Sequence, residues 1–105
     1  MPVQPLEIYQ VDYPFRNSAD PRPAVILEPE LNGRVAIALI SGQMDLFNPM
    51  LHFHIPKDDP DFHATGLTKP SYVAGDEIFE ISTTKLLFKR GVFTGDLAVR
   101  FKRWI

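Results

Sequence analysis

The chain contains no cysteine. A disulfide framework, a thiolate metal site and a cysteine nucleophile are all excluded from its chemistry. The absence agrees with a reducing compartment. No apolar run approaches the length of a membrane span, and the N-terminus lacks a basic stretch followed by an apolar one. The expectation is a cytoplasmic protein without a membrane partner. An excess of positive charge is missing too: 11 Lys and Arg stand against 13 Asp and Glu, for a formal net charge of -2. The uniformly basic surface of a strong nucleic-acid binder is therefore not expected. There are no internal repeats and no low-complexity segments.

What the chain does have is length and apolar content for one core. Its 105 residues are 45% hydrophobic, enough for a single folded domain over residues 1–105 but not for two. Its basic residues are unevenly placed. Lys85, Lys89, Arg90, Arg100, Lys102 and Arg103 fall in residues 83–105 with one acid, Asp96. This segment is either a positive surface for a partner or an ordinary solvated face.

The patterning is that of a small β protein closed by a helix. Residues 6–12 alternate as a strand with one largely apolar face. Residues 13–23 are a proline-rich polar connection. Apolar, β-branched runs at 23–27 and 34–40 flank Pro29 and Asn32-Gly33, a strong hairpin signal. The second run is almost continuously apolar and is expected at the centre of the sheet. Residues 51–55 form a short strand. The proline- and acid-rich stretch 56–70 is expected to be a long exposed loop. Strands at 71–74 and 77–82 are separated by a kink at Gly75-Asp76, and 85–90 is a last strand. Thr94 is expected to N-cap a final helix, with Asp96 in its first turn and an apolar stripe of Leu97, Phe101, Trp104 and Ile105. Short strands at this spacing point to a small, strongly bent barrel.

The stretch Asp20-Pro21-Arg22-Pro23-Ala24-Val25-Ile26-Leu27 stands out. Two prolines stiffen the backbone on either side of Arg22, at the mouth of a strand. A guanidinium so placed loses less freedom when it grips a phosphate. The plainer reading is a solubilising arginine in a turn.

Four segments in register resemble the MazF/PemK toxins of bacterial toxin–antitoxin systems. Leu6-Glu7-Ile8-Tyr9-Gln10-Val11-Asp12-Tyr13-Pro14-Phe15 is similar to their opening strand, and Arg22-Pro23-Ala24-Val25-Ile26-Leu27 to their second. Residues 35–41 resemble the strand that ends in Ser or Thr. Ala64-Thr65-Gly66-Leu67-Thr68-Lys69-Pro70-Ser71-Tyr72-Val73 with Gly75-Asp76-Glu77-Ile78 resembles the PemK-type segment that follows. The resemblance implies an SH3-like barrel with a C-terminal helix. It implies a homodimeric endoribonuclease that cuts single-stranded RNA sequence-selectively, without metal or other cofactor, and is neutralised by a cognate antitoxin. It makes Arg22, Ser41 and Asp76 the catalytic candidates, with Phe15, Arg16, Gln43, Lys69 and Glu77 as substrate-binding candidates.

RNA carries its own nucleophile, the 2′-hydroxyl, so the protein needs only a proton acceptor, a proton donor and positive charge for the phosphorane-like transition state. Arg22 supplies charge and paired hydrogen bonds. Ser41 orients the phosphate or the leaving oxygen. Asp76 acts as base or positions a partner. One departure bears on activity. Many family members carry an arginine soon after the acidic position, where this chain has Phe79-Glu80. The competing reading is a non-catalytic barrel that binds protein or nucleic acid. His52 and His54 are two apart on a strand and share a face, and His63 lies among Asp58, Asp59 and Asp61. A metal site there is the weaker alternative to a surface histidine pair.

Overall fold

The computed structural model describes residues 3–12 and 20–105. The candidates Phe15 and Arg16 lie outside the described residues. Six strands are followed by one helix: β1 (Glu7–Val11), β2 (Arg22–Ile26), β3 (Arg34–Ser41), β4 (His52–Ile55), β5 (Ser71–Ser82), β6 (Leu86–Val92) and α1 (Gly95–Trp104). Short 3-10 turns lie at Met44–Leu46, His63–Thr65 and Thr83–Lys85. The strands make one antiparallel sheet in the order β4-β5-β3-β2-β1-β6. Among the described residues the ladder ends at β4 and β6 with no pairing between them, so the expected barrel is not closed by their hydrogen bonds.

Side-chain alternation explains why both faces are apolar. Ile8, Val25, Ala38, Ile40, Phe53 and Val73 belong to one buried cluster, and Val11, Ala24, Ile26, Ile37 and Leu39 to the other. β3 has neighbours on both sides and is buried on both faces, which is why its sequence is nearly continuous in apolar residues. Asn32 and Gly33 take left-handed φ values of 53° and 75°, and Leu31 and Arg34 exchange backbone hydrogen bonds around them. This is the two-residue hairpin that Asn-Gly signals.

The helix covers the first cluster with Leu97, Ala98 and Phe101. Phe101 is fully buried, its ring centroid 5.2 Å from Phe53 and 4.8 Å from Phe93. Trp104 packs partly buried against the same cluster, but Ile105 ends exposed, so the expected stripe stops one residue early. Thr94 occupies the N-cap position with extended backbone, yet its side chain makes no capping bond. Instead Asp61 reaches from a distant loop, and its Oδ2 accepts the Leu97 N–H at 3.3 Å. The 56–70 segment is likewise not the exposed loop the composition predicts. Phe62 and Leu67 enter the core, and Thr65 is wholly buried with its Oγ1 donating to the Phe62 carbonyl at 2.6 Å.

The expected kink at Gly75-Asp76 is a bulge inside a single strand. Ala38 faces Ile78 while Ile40 faces Val73, so several β5 residues share one step of β3. Gly75 donates its N–H to the Leu51 carbonyl at 3.0 Å. A Cβ at Gly75 would stand 2.6 Å from that oxygen and 2.9 Å from the Trp104 ring, so only glycine fits.

Candidate functional site

Arg22 opens β2 and Ser41 closes β3. The two strands pair as far as Ala24 opposite Leu39, and beyond that pair Arg22 and Ser41 line the same two pockets. Ser41 in turn faces Tyr72 on β5. Two residues 19 apart in sequence thus meet at one end of the sheet, each at the end of its strand. Pro21 precedes β2, and Pro23 is its second residue, opposite Gln10 of β1; pairing with β3 begins at the next residue, Ala24.

A cleft of about 230 Å³ lies over this end, lined by Arg22, Ser41, Gln43, Lys69, Ser71 and Arg90 among others. Its described lining holds three cations and no carboxylate. Among the described residues, no hydrogen bond or ion pair engages the Arg22 guanidinium. Arg90 is tied down: one nitrogen donates to Gln10 Oε1 at 3.0 Å and another to the Gly66 carbonyl at 2.9 Å. Lys69 is exposed, its stem lying across the bare backbone of Gly42, where a Cβ would be 2.2 Å from Lys69 Cε. The Ser41 hydroxyl oxygen accepts the Gln43 N–H at 3.1 Å, which leaves its own proton to donate into the cleft. An unengaged guanidinium, an exposed ammonium and an oriented hydroxyl together form a cradle for an oxyanion.

A smaller pocket adjoins it, lined by Arg22, Ser41, Gln43, Leu46, Tyr72 and Glu77 among others. Glu77 is the carboxylate that shares walls with Arg22 and Ser41. Asp76, one residue earlier in the bulge, points elsewhere. Its Oδ1 lies 3.2 Å from His52 Nε2 and it lines a third, neighbouring cleft. Five of the candidates, Arg22, Ser41, Gln43, Lys69 and Glu77, are therefore gathered around one connected depression, and Asp76 stands at its edge.

His52 is not a surface residue. It is buried, stacked on Tyr72 with ring centroids 4.2 Å apart, and flanked by Phe47. Its Nδ1 accepts the Asn48 backbone N–H at 2.9 Å. A backbone N–H only donates, so in the neutral ring the proton is on Nε2 and is given to Asp76. His54 is exposed and also stands against Phe47, ring centroids 5.3 Å apart, as expected for a residue on the same face as His52, while His63 is exposed on its 3-10 turn. Among the described residues, no group of three or more His, Cys, Asp and Glu could hold a metal ion.

Three of the six basic residues in 83–105, Lys89, Arg90 and Arg100, are spent on structure. Arg100 is paired with Asp59 and, at 2.9 Å, with Asp96; the Asp96 bond, followed by Asp59, raises its pKa above the usual value. Lys89 bonds Glu7 at 2.8 Å, which raises the Lys89 pKa. The contributions of Arg90, Tyr72 and Leu46 to the depression escaped the sequence reading. Tyr72 and Leu46 look like core or loop residues, and only the turn after Ser41 with the bulge in β5 brings them to the rim.

No protein-family model matches the chain, and no curated protein matches it at a significant level. Solved structures do. An endoribonuclease in complex with its cognate antitoxin, from Mycobacterial species, superposes with a TM-score of 0.65 over 96% of this chain and 86% of that one, at 15% sequence identity. At that identity the likeness is one of fold. No described helix is long and apolar enough to cross a membrane.

Proposed function

We propose that this chain is a toxin of the MazF/PemK type, a metal-independent endoribonuclease that cleaves single-stranded RNA sequence-selectively, acts in the cytoplasm, forms a homodimer and is neutralised by a cognate antitoxin. The observation that carries the reading is the meeting of Arg22 and Ser41 at the wall of a cleft whose described lining holds cations and no acid. A fold shared with an endoribonuclease solved with its antitoxin supports it.

The chemistry follows from RNA itself. The 2′-hydroxyl attacks the adjacent phosphorus, the bond from phosphorus to the 5′-oxygen breaks, and the products are a 2′,3′-cyclic phosphate and a free 5′-hydroxyl. Arg22 holds the non-bridging oxygens as charge builds on them, the position where positive charge is most effective. Ser41 donates a hydrogen bond that orients the phosphate or the departing oxygen, and the departing oxygen takes its proton from solvent. Glu77, rather than Asp76, is the carboxylate that borders the same pocket, and it takes the 2′-hydroxyl proton. Lys69 draws the flexible backbone in, and Gln43 contacts it at the rim. The substitution of Phe79 for the family's downstream arginine removes one cation, and Lys69 with Arg22 carries the charge that remains.

The test is expression of the chain without any antitoxin. Growth arrest that Arg22→Ala relieves, with both proteins accumulating to the same level, supports the reading. No arrest by either protein, with no cleavage over varied RNA sequences, favours the non-catalytic binding module instead.

A further inference from the structure

The Arg22–Ser41 depression does not end at Glu77. Through Leu46, Tyr72 and Glu77 it runs into the third cleft, of about 280 Å³, lined by Leu46, Asn48, Leu51, His52, Asp76 and their neighbours. The two ends have opposite character. The first holds Arg22, Lys69 and Arg90 with no carboxylate, and the other holds Asp76 and Glu77 with no lysine or arginine. A phosphate belongs at the first end and is repelled from the second. A neutral group rich in hydrogen-bond donors belongs at the second.

We propose that this acidic cleft is a nucleobase subsite that selects guanine, with Asp76 as the residue that reads it. The inference rests on the RNA-cleaving reading and adds the substrate's sequence class to it. Asp76 is held in place, since its Oδ1 accepts the Nε2–H of a histidine that is itself buried, stacked on Tyr72 and anchored by the Asn48 N–H. A carboxylate oxygen accepts more than one hydrogen bond, so Oδ1 and Oδ2 both remain open to a ligand. The Asp76 side chain is 48% exposed, so a base reaches it. Two parallel acceptors match two parallel donors. Among the four bases only guanine offers adjacent N1–H and N2–H groups on its Watson–Crick edge, the edge that single-stranded RNA leaves free. Cytosine and adenine place an acceptor beside their amino group, and uracil flanks its N3–H with two carbonyls. Leu46 and Leu51, both exposed, supply apolar walls for the ring faces. A metal ion is the poorer fit, since no set of three ligating side chains is gathered there among the described residues.

The experiment uses short 2′-O-methyl oligouridine probes, which lack the nucleophile and stay uncut, carrying one central guanine, inosine, adenine, cytosine or uracil. Binding to the wild-type protein and to Asp76→Asn is followed by fluorescence anisotropy. The wild type binds the guanine probe roughly tenfold or more above the uracil probe, in the range a bidentate base contact carries. Inosine, which has lost the N2 donors, falls between them. Asp76→Asn brings all five probes to within about twofold of one another and leaves the all-uracil affinity unchanged, because the cationic cleft is intact. A wild type without base preference, a preference for another base, or a guanine preference that survives Asp76→Asn overturns the subsite while leaving RNA cleavage standing. Failure of every probe to bind overturns both the subsite and the RNA reading it rests on.

Discussion

Arg22 is the residue on which the account turns, and its place was legible because strand boundaries and hairpin signals are local. The prolines on either side mark a strand mouth, and the Asn32-Gly33 hairpin pairs β2 with β3 so that Ser41 lines the same cleft. What was not legible is which carboxylate joins them. Asp76 and Glu77 are neighbours in sequence, and a bulge in β5 sends one to His52 and the other to the Arg22 pocket. The burial of His52 was hidden for the same reason: its stacking partner Tyr72 and its hydrogen-bond partner Asn48 come from different segments. At this scale the expected outcome is that Glu77→Gln slows RNA cleavage by roughly the 10²–10⁴-fold of a lost general base, and that Asp76→Asn slows it far less. Single-turnover rates on one defined RNA check this, and equal losses from the two variants would count against the division of roles.

Elements are pinned by contacts that the sequence pattern does not show. The edge strand β6 is tied to β1 by Glu7 and Lys89. Burial pushes the Glu7 carboxyl up, but the Lys89 ammonium and the Gln4 N–H outweigh it and hold its pKa below the usual carboxylate value. A carboxylate depressed on folding stabilises the native state fully above its unfolded pKa, and the contribution is lost as pH falls through the folded value. Thermal melts from neutral pH down to about pH 3 should therefore show a shallower acid loss in Glu7→Gln than in the wild type. Identical slopes would remove Glu7 from the account. At the bulge, Gly75→Ala drives a methyl into the Leu51 carbonyl and the Trp104 ring, and overpacking of this kind costs ~1–3 kcal/mol. Denaturant unfolding reads that loss directly. The helix N-terminus makes the same point about legibility. Thr94 is a reasonable cap from sequence, yet the Leu97 N–H is satisfied by Asp61, a residue that composition alone assigned to an exposed loop.

For the whole molecule, the core and the assembly carry the expectations. The helix seals one face of the sheet through Phe101, so Phe101→Ala should cost ~3–5 kcal/mol and loosen α1 with β4. The sheet leaves β4 and β6 as its two ends, and β6 exposes Leu87 and Phe88. Open edges with apolar side chains are normally covered, which is consistent with the proposed homodimer. Light scattering at micromolar concentration checks it, and a monomer would contradict it. The C-terminal charges enter at this scale too. Arg100 is committed to Asp59 and Asp96, so Lys102 and Arg103 are the basic residues of α1 left for a partner. Their reversal should flatten the salt dependence of RNA binding only if the helix faces the bound strand. The overall fold class was legible because alternation and continuous apolar runs report burial directly. Its closure was not, because pairing between distant edges leaves no mark in local pattern.

The central claim is that the Arg22 cleft stabilises charge on an RNA phosphate attacked by its own 2′-hydroxyl. The most direct measurement is the cleavage rate of a single-stranded RNA in EDTA by purified wild type, Arg22→Ala and Arg22→Lys. The account predicts wild-type products with cyclic-phosphate and 5′-hydroxyl ends, a loss of at least ~10²–10³-fold in Arg22→Ala, and little recovery in Arg22→Lys, because the paired hydrogen bonds are gone. A folded Arg22→Ala protein that cleaves at the wild-type rate would contradict it.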